Sequence, residues 1–171
     1  MSITQQAIAG PEPGISITGM TEHDLLEVVE IEESTGLSRW GWTAYYAELQ
    51  GSNKDLMLVA RVADAARRRN TSRLAGYIVG RMGGGELHIN NVAVRGIYRR
   101  RGIGRALLIR ILETGRRAGV PHAFLELRAG NTAALALYEE CGFHVTSRRR
   151  NYYSEPVEDA LVMTIQLVRN A

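Results

Sequence analysis

An α+β domain, one mixed sheet flanked by helices, is the fold class predicted by the 171-residue sequence. Three observations predict it. Strand-like and helix-like runs alternate in the order β, α, α, three β, α, β, α, two β. The 45% apolar content of a chain this long suffices for one hydrophobic core. No internal repeat or second domain interrupts the pattern.

Residues 1–14 are polar and carry Gly10, Pro11, Pro13 and Gly14, which predicts a flexible tail ahead of a domain spanning 15–171. Ile15 and Ile17 open a short strand, and Thr21 with Asp24 three residues on forms a capping arrangement ahead of the apolar positions Leu25 to Ile31. The polar positions of that helix, Glu22, Asp24, Glu27, Glu30, Glu32 and Glu33, are acidic and read as a solvated face or as one that attracts a basic partner. A loop with Trp40 leads into a second helix, Trp42 to Leu49. Strands follow at Leu56 to Val62 and Leu74 to Met82, with the basic run Arg67 to Arg69 in the intervening solvated loop, and a turn at Gly83 to Gly85 leads into a strand from Glu86 to Val94. Ile103, Leu107, Leu108, Ile111 and Leu112 keep helical spacing until Gly119 and Pro121 end the third helix. A strand from Ala123 to Arg128, a helix Thr132 to Glu140 capped by Asn131 and closed by Gly142, and two strands, Phe143 to Tyr153 and Val157 to Leu167, complete the chain.

Twenty arginines and one lysine, Lys54, against 18 acidic residues leave a net charge of +3, too small for a nucleic-acid coat, so the placement of charge matters more than its sum. No apolar run reaches the ~20 residues of a membrane span and no signal peptide opens the chain, which together predict a cytoplasmic protein. The single cysteine, Cys141, forms no internal disulfide, and His23, His88, His122 and His144 show no metal or nucleophile arrangement.

Chemistry concentrates where Arg99, Arg100, Arg101, Gly102, Ile103 and Gly104 join a strand to the start of a helix. Glycines let backbone approach a ligand, and the exposed N–H groups at a helix N-terminus favour phosphate oxygens. Arg95, Arg99, Arg100, Arg101 and Arg105 place five positive charges within eleven residues, a field suited to a phosphate-rich ligand, two or three of them in direct contact. The spacing fits neither a dinucleotide fingerprint nor a Walker A loop. Glu126 is a carboxylate amid an apolar strand, either paired, with Arg128 the nearest candidate, or placed for chemistry. Tyr138 stands two helical turns beyond Asn131, as a core residue or as an acid.

With Arg99, Gly102 and Gly104 in the Arg-x-x-Gly-x-Gly arrangement, the span from about Glu86 to Leu167 resembles the GNAT superfamily of N-acetyltransferases. Leu125 to Asn131, Ala134 to Glu139, Gly142-Phe143 and Arg150 to Tyr153 resemble its RimI type, bacterial enzymes that acetylate the N-terminal alanine of a ribosomal protein. The resemblance implies a GNAT fold and acetyl-CoA as cosubstrate, with Val92, Ala93 and Val94 along the acetyl-pantetheine arm and Arg99, Arg100, Arg101, Gly102, Ile103, Gly104 and Arg105 around the pyrophosphate. It implies Asn131 as a further cofactor contact, Glu126 as general base through water, Tyr138 as proton donor to the departing thiolate, and Trp40, Asn151, Tyr152 and Tyr153 in the acceptor groove. It implies no metal. It implies a protein N-terminus as acceptor, with a ribosomal protein starting in alanine favoured. Lysine side chains, small amines and, outside enzymology, ribosome or RNA binding through the arginine triplets are the alternatives. The chain departs from the RimI pattern ahead of its second helix, where Leu37, Ser38, Arg39, Trp40, Gly41 and Trp42 replace Phe-Pro-Trp-Ser.

Overall fold

The computed structural model describes residues 14–37, 39–63 and 73–168. The expected tail and the Arg67 to Arg69 loop lie outside them, as does Ser38. Seven strands, β1 (Ile15–Gly19), β2 (Met57–Val62), β3 (Arg73–Gly83), β4 (Glu86–Val94), β5 (His122–Arg128), β6 (His144–Ser154) and β7 (Val157–Gln166), form one sheet in the order β1-β2-β3-β4-β5-β7-β6. The helices are α1 (Leu25–Thr35), α2 (Gly41–Leu49), α3 (Ile103–Arg117) and α4 (Thr132–Glu140). Element order is that of the sequence prediction, and boundaries differ by one or two residues. None of the helices is long and apolar enough to cross a membrane.

Each face of the sheet has its own core. Ile103, Leu107, Leu108, Ile111 and Leu112 of α3 pack with Leu87, Ile89, Leu125 and Leu127 on one face. Leu25, Val28 and Ile31 of α1 pack with Tyr45 of α2 and with Val59, Tyr77 and Ala93 on the other. The period-2 alternation of a strand thus feeds two helical layers.

The capping arrangement ahead of α1 forms as the sequence predicts, on the single 3₁₀ turn Glu22–Asp24 that leads into the helix. Thr21 and Asp24 make a capping box, the Thr21 N–H donating to Asp24 Oδ2 at 2.8 Å. The acidic helix is only in part a solvated face: Glu22, Glu30 and Glu33 are exposed, and Asp24 and Glu32 are buried. Asp24 pairs with Arg61 at 2.6 Å, Glu27 and Glu30 each pair with Arg95 at 3.0 Å, and Glu32 is 1% exposed. Its carboxylate accepts from the Trp40 and Gly41 amides and from the Tyr45 hydroxyl. These bonds dock the loop between α1 and α2, and the start of α2, onto α1.

Two features of the central strands make room for a site. The parallel ladder between β4 and β5 runs from Glu86↔His122 to Ile89↔Leu125 and stops there, so the strands part and leave the rest of β4 without a partner on that side. At the same point β4 carries a bulge: Val79 pairs with Asn91 and Gly80 with Ile89, and Asn90 has no partner on β3. An extra residue reverses which side chains face which layer. Leu87 and Ile89 therefore face α3, whereas beyond the bulge Val92 and Val94 take that face and Asn91 and Ala93 turn toward α1 and α2.

Candidate active site

The parted strands open two adjoining cavities, which share Thr35, Leu37, Val92, Asn131, Ala134 and Tyr138. One, of about 500 Å³, runs from Val92 to Val94 to the start of α3. The other, of about 630 Å³, extends past Glu126 to the aromatic residues of β6.

The first cavity is built around the entry to α3. Arg95 leaves β4, a single 3₁₀ turn at Gly96–Tyr98 follows, and the chain enters the helix through Arg100 and Gly102, both left-handed with φ of 65° and 71°. Gly102 takes this conformation at no steric cost, while Arg100 is held there by the tight loop. The α3 amides thereby face the cavity. Arg99, Arg100, Gly102, Ile103, Gly104, Arg105, Asn131 and the three β4 residues Val92, Ala93 and Val94 all line it. Arg105 Nε is buried with no hydrogen-bond partner among the described residues, a donor left for a ligand oxygen. Asn131 caps α4, its Oδ1 accepting from the Ala134 amide at 3.1 Å.

Two arginines are placed differently from the sequence expectation. Arg95 is buried, donates to the Leu74 carbonyl and pairs with Glu27 and Glu30, so it braces α1 against the sheet rather than facing a phosphate. Arg101 lies outside the cavity lining, its guanidinium 5.6 Å from the centre of the Tyr98 ring. Tyr98 lines the cavity without having been singled out in the sequence, and Ala134 and Leu137 join it from the α4 motif.

The second cavity holds the reactive groups. Glu126 projects from β5 opposite to Leu125 and Leu127, with its side chain 11% exposed. It does not pair with Arg128, which bonds Glu158 instead. Its Oε2 lies 2.7 Å from His88 Nε2 and its Oε1 3.3 Å from an Arg149 guanidinium nitrogen. The His88 hydrogen bond holds the Glu126 carboxyl below its ordinary range, against the opposing effect of burial, and the charges of His88 and Arg149 add to the lowering. Tyr138 is 9% exposed, packs edge-on against Phe143, and its hydroxyl bonds no protein group among the described residues. Burial raises its pKa above the ordinary 10, with further pushes from Tyr153 and Cys141. It is a phenol that stays protonated.

The walls toward solvent are aromatic. Trp40 stacks on Tyr45 and is covered by the Arg81 guanidinium, 4.7 Å from the ring centre. Tyr153 is pinned by Arg128, 4.3 Å above its ring, and meets Tyr152 edge-on. Trp40, Tyr152 and Tyr153 all line the cavity, but Asn151 does not. Asn151 has φ of 50° within a β6 irregularity, its amide bonded to Asp159 Oδ1 at 2.9 Å, so it shapes the strand that presents the two tyrosines. His88 was missed at the sequence level because its partner is 38 residues away. No group of three metal-binding side chains occurs among the described residues.

Residues 25–143 match the profile of the acetyltransferase (GNAT) family. The chain belongs to that family. It is 32% identical over 155 residues, 90% of its length and 97% of the relative's, to [ribosomal protein bS18]-alanine N-acetyltransferase of Salmonella typhimurium. An 84-residue match at 43% identity to the Escherichia coli protein of the same name takes in 48% of the chain, and here the chain spans 57% of the relative's length. The crystal structure of an Escherichia coli ribosomal-protein alanine N-acetyltransferase superposes with a TM-score of 0.74 at 30% identity, covering 92% of this chain and 96% of that one. The seven-stranded sheet with four helices is thus a GNAT fold.

Proposed function

We propose that the protein is an N-terminal protein acetyltransferase that moves an acetyl group from acetyl-CoA to the α-amine of a protein, with a ribosomal protein starting in alanine as the favoured acceptor. The observation that carries this reading is the common cavity wall. Tyr138 lines both cavities, joining a helix-entry cradle of arginines and glycines to a chamber containing Glu126. The names of the relatives point to the same acceptor.

The residues fit acetyl-CoA. The α3 amides with Arg99, Arg100 and Arg105 would hold the pyrophosphate, Arg105 Nε finding the partner it lacks. The unpaired side of β4 from Val92 to Val94 would bond the pantetheine amides as an added strand does. When bound, acetyl-CoA supplies the thioester carbon as electrophile and a thiolate as leaving group.

The protein's own groups then manage protons. An α-amine with a pKa of ~8 is neutral about once in ten molecules at pH 7, at a cost of about 1.4 kcal/mol, whereas a lysine at ~10.4 is neutral about once in 2500. Glu126, ionised and facing the chamber, orders a water that takes the ammonium proton and leaves the nitrogen lone pair free to attack. The carboxylate receives the proton through that water rather than from the ammonium directly. Tyr138, kept neutral by burial, gives its proton to the sulfur as the C–S bond breaks and regains one from solvent. Trp40, Tyr152 and Tyr153 close the chamber around the first residues of the acceptor.

A peptide library with acetyl-CoA, varied at its first two residues and presented with free and blocked N-termini, tests this reading. Acetylation confined to free α-amines is the expected result. Acetyl groups found on lysine ε-amines alone would overturn the acceptor assignment.

A further inference from the structure

We propose that His88 is a positioning residue for acetyl transfer, holding Glu126 in its productive orientation and switching the pair off when the imidazole is protonated. The inference rests on the reading of Glu126 as the group that receives the substrate's proton through water, and it extends that reading to a residue no relative's name assigns.

Three features place His88 there. It sits on β4 in register with Phe124 of β5, its ring stacked on the phenyl at 4.4 Å and 5° between planes. That stack fixes the plane in which Nε2 meets Glu126 Oε2 at 2.7 Å. On its other side Nδ1 lies 3.3 Å from Asn90 Nδ2. The contacts fit the Nε2–H tautomer, in which Nε2–H donates to the carboxylate and Nδ1 accepts from the Asn90 amide.

Asn90 supplies the second, independent observation. It is the bulge residue of β4, and its Oδ1 is buried with no partner among the described residues. A buried amide oxygen without a donor is costly, and such an atom calls for an explanation. Turning the amide over places Oδ1 against Nδ1, where it accepts once that nitrogen carries a proton. The bulge thus supplies a pairing for both protonation states of His88.

The electrostatics set the direction. With neutral imidazole the His88–Glu126 pair carries one negative charge and can accept the proton leaving the ammonium. With imidazolium the pair is already neutral, and one proton more would leave a net positive charge beside the substrate nitrogen. Charged or titratable groups beside the pair are Arg149, Tyr152 and Tyr153 of β6, Arg128 of β5, Tyr138 of α4, Glu158 of β7 and Arg81 of β3, with Arg81 in register with His88 and paired with Glu48 at 2.6 Å and Arg128 paired with Glu158. Arginine side chains stay cationic, and burial raises the Tyr138 and Tyr153 phenols.

The test compares kcat/KM for a free α-amine peptide from pH 5.5 to 9 in the wild type, His88→Gln and His88→Ala, with thermal midpoints recorded for each. Dividing one profile by another cancels the titration of the substrate amine. Glutamine keeps an N–H for Glu126 but does not titrate. At pH 8, His88→Gln should retain at least about tenfold more activity than His88→Ala, and the ratio of His88→Gln to wild type should rise about tenfold per pH unit through the acid limb. The KM for acetyl-CoA should not move, since His88 lines only the second cavity. Parallel profiles for wild type and His88→Gln, or equal activity of wild type and His88→Ala, would overturn the proposal. Glu126→Gln separates the two failures. If it alone is inactive while the His88 variants match wild type, the role of His88 is wrong and that of Glu126 stands; if Glu126→Gln is fully active, the reading of Glu126 itself falls.

Discussion

The carboxylate of Glu32 and the hydroxyl of Tyr45 meet at 2.8 Å in the core between α1 and α2, and Tyr45 passes the connection on to Tyr77 at 2.8 Å and to Asn91 at 2.9 Å. The chain of bonds joins the Trp40 loop, through Glu32, to the strand that forms the cavity floor. A buried carboxylate with three donors is satisfied, and each donor depends on it.

Glu32→Ala should therefore destabilise the protein by about 2–4 kcal/mol, since the Trp40 and Gly41 amides lose their acceptor. Urea denaturation measures the loss. Peptide KM should rise as the Trp40 loop loosens, with the acetyl-CoA KM less affected. Glu33→Ala on the exposed side of the same helix should change stability by less than about 0.5 kcal/mol. Equal effects of the two would mean that long-range charge, not the buried network, explains the acidic helix.

The elements of the fold were legible in the sequence because each carries its own local signal. The α3 stripe, the Asn131 cap and the Gly102 turn are read within a few residues of themselves. What could not be read is pairing at a distance. Glu32 and Glu33 are both polar positions of one acidic helix, yet one is buried and the other exposed, and only the packing of α2 against β3 distinguishes them. Arg95 belongs by sequence to the basic loop and by structure to α1, because its strand ends facing Glu27 and Glu30. His88 became visible as a partner of Glu126 only once β4 and β5 lay side by side.

The arginines around the helix entry separate into contacting and distant groups. Arg105→Ala should raise the KM for acetyl-CoA about tenfold and steepen with dilution of salt, as expected for a phosphate contact. Arg101→Ala should leave that KM within about twofold, its guanidinium lying over Tyr98 outside the cavity. Initial-rate kinetics at fixed peptide decide the matter. An Arg101 effect as large as that of Arg105 would mean that the loop rearranges when the ligand binds.

Acid stability follows from Glu126. Its folded pKa is lowered from an ordinary 4.5, first by the His88 hydrogen bond and then by the charges of His88 and Arg149. In the acid range the unfolded chain then binds more protons, so stability rises with pH. The contribution is fully present above about 4.5 and is lost as the pH falls through the lowered value. The stability advantage of wild type over Glu126→Gln, read from urea midpoints, should accordingly shrink between pH 7 and pH 3. An advantage that stays constant over that range would show that the carboxylate is not held ionised by its neighbours.

Tyr138 provides the sharpest check on the proton donor. Tyr138→Phe keeps the ring in the core beside Phe143 and removes one oxygen that has no protein partner among the described residues, so the fold should persist with little change in melting temperature. The turnover number should fall about 100-fold while both KM values change little, because the hydroxyl acts on the departing sulfur rather than in binding. Burial raises the phenol's pKa above 10, with Tyr153 and Cys141 adding to the shift, so Tyr138 remains protonated throughout an assay run up to pH 10. An alkaline fall in kcat below that pH should therefore be absent from the wild type, and the profiles of wild type and Tyr138→Phe should run parallel from pH 8 to 10. An acetyl thioester whose thiol, once released, has a lowered pKa should rescue Tyr138→Phe, since its thiolate leaves without a proton. Failure of that rescue, with the turnover number still depressed, would show that the hydroxyl orients the thioester rather than protonating the sulfur.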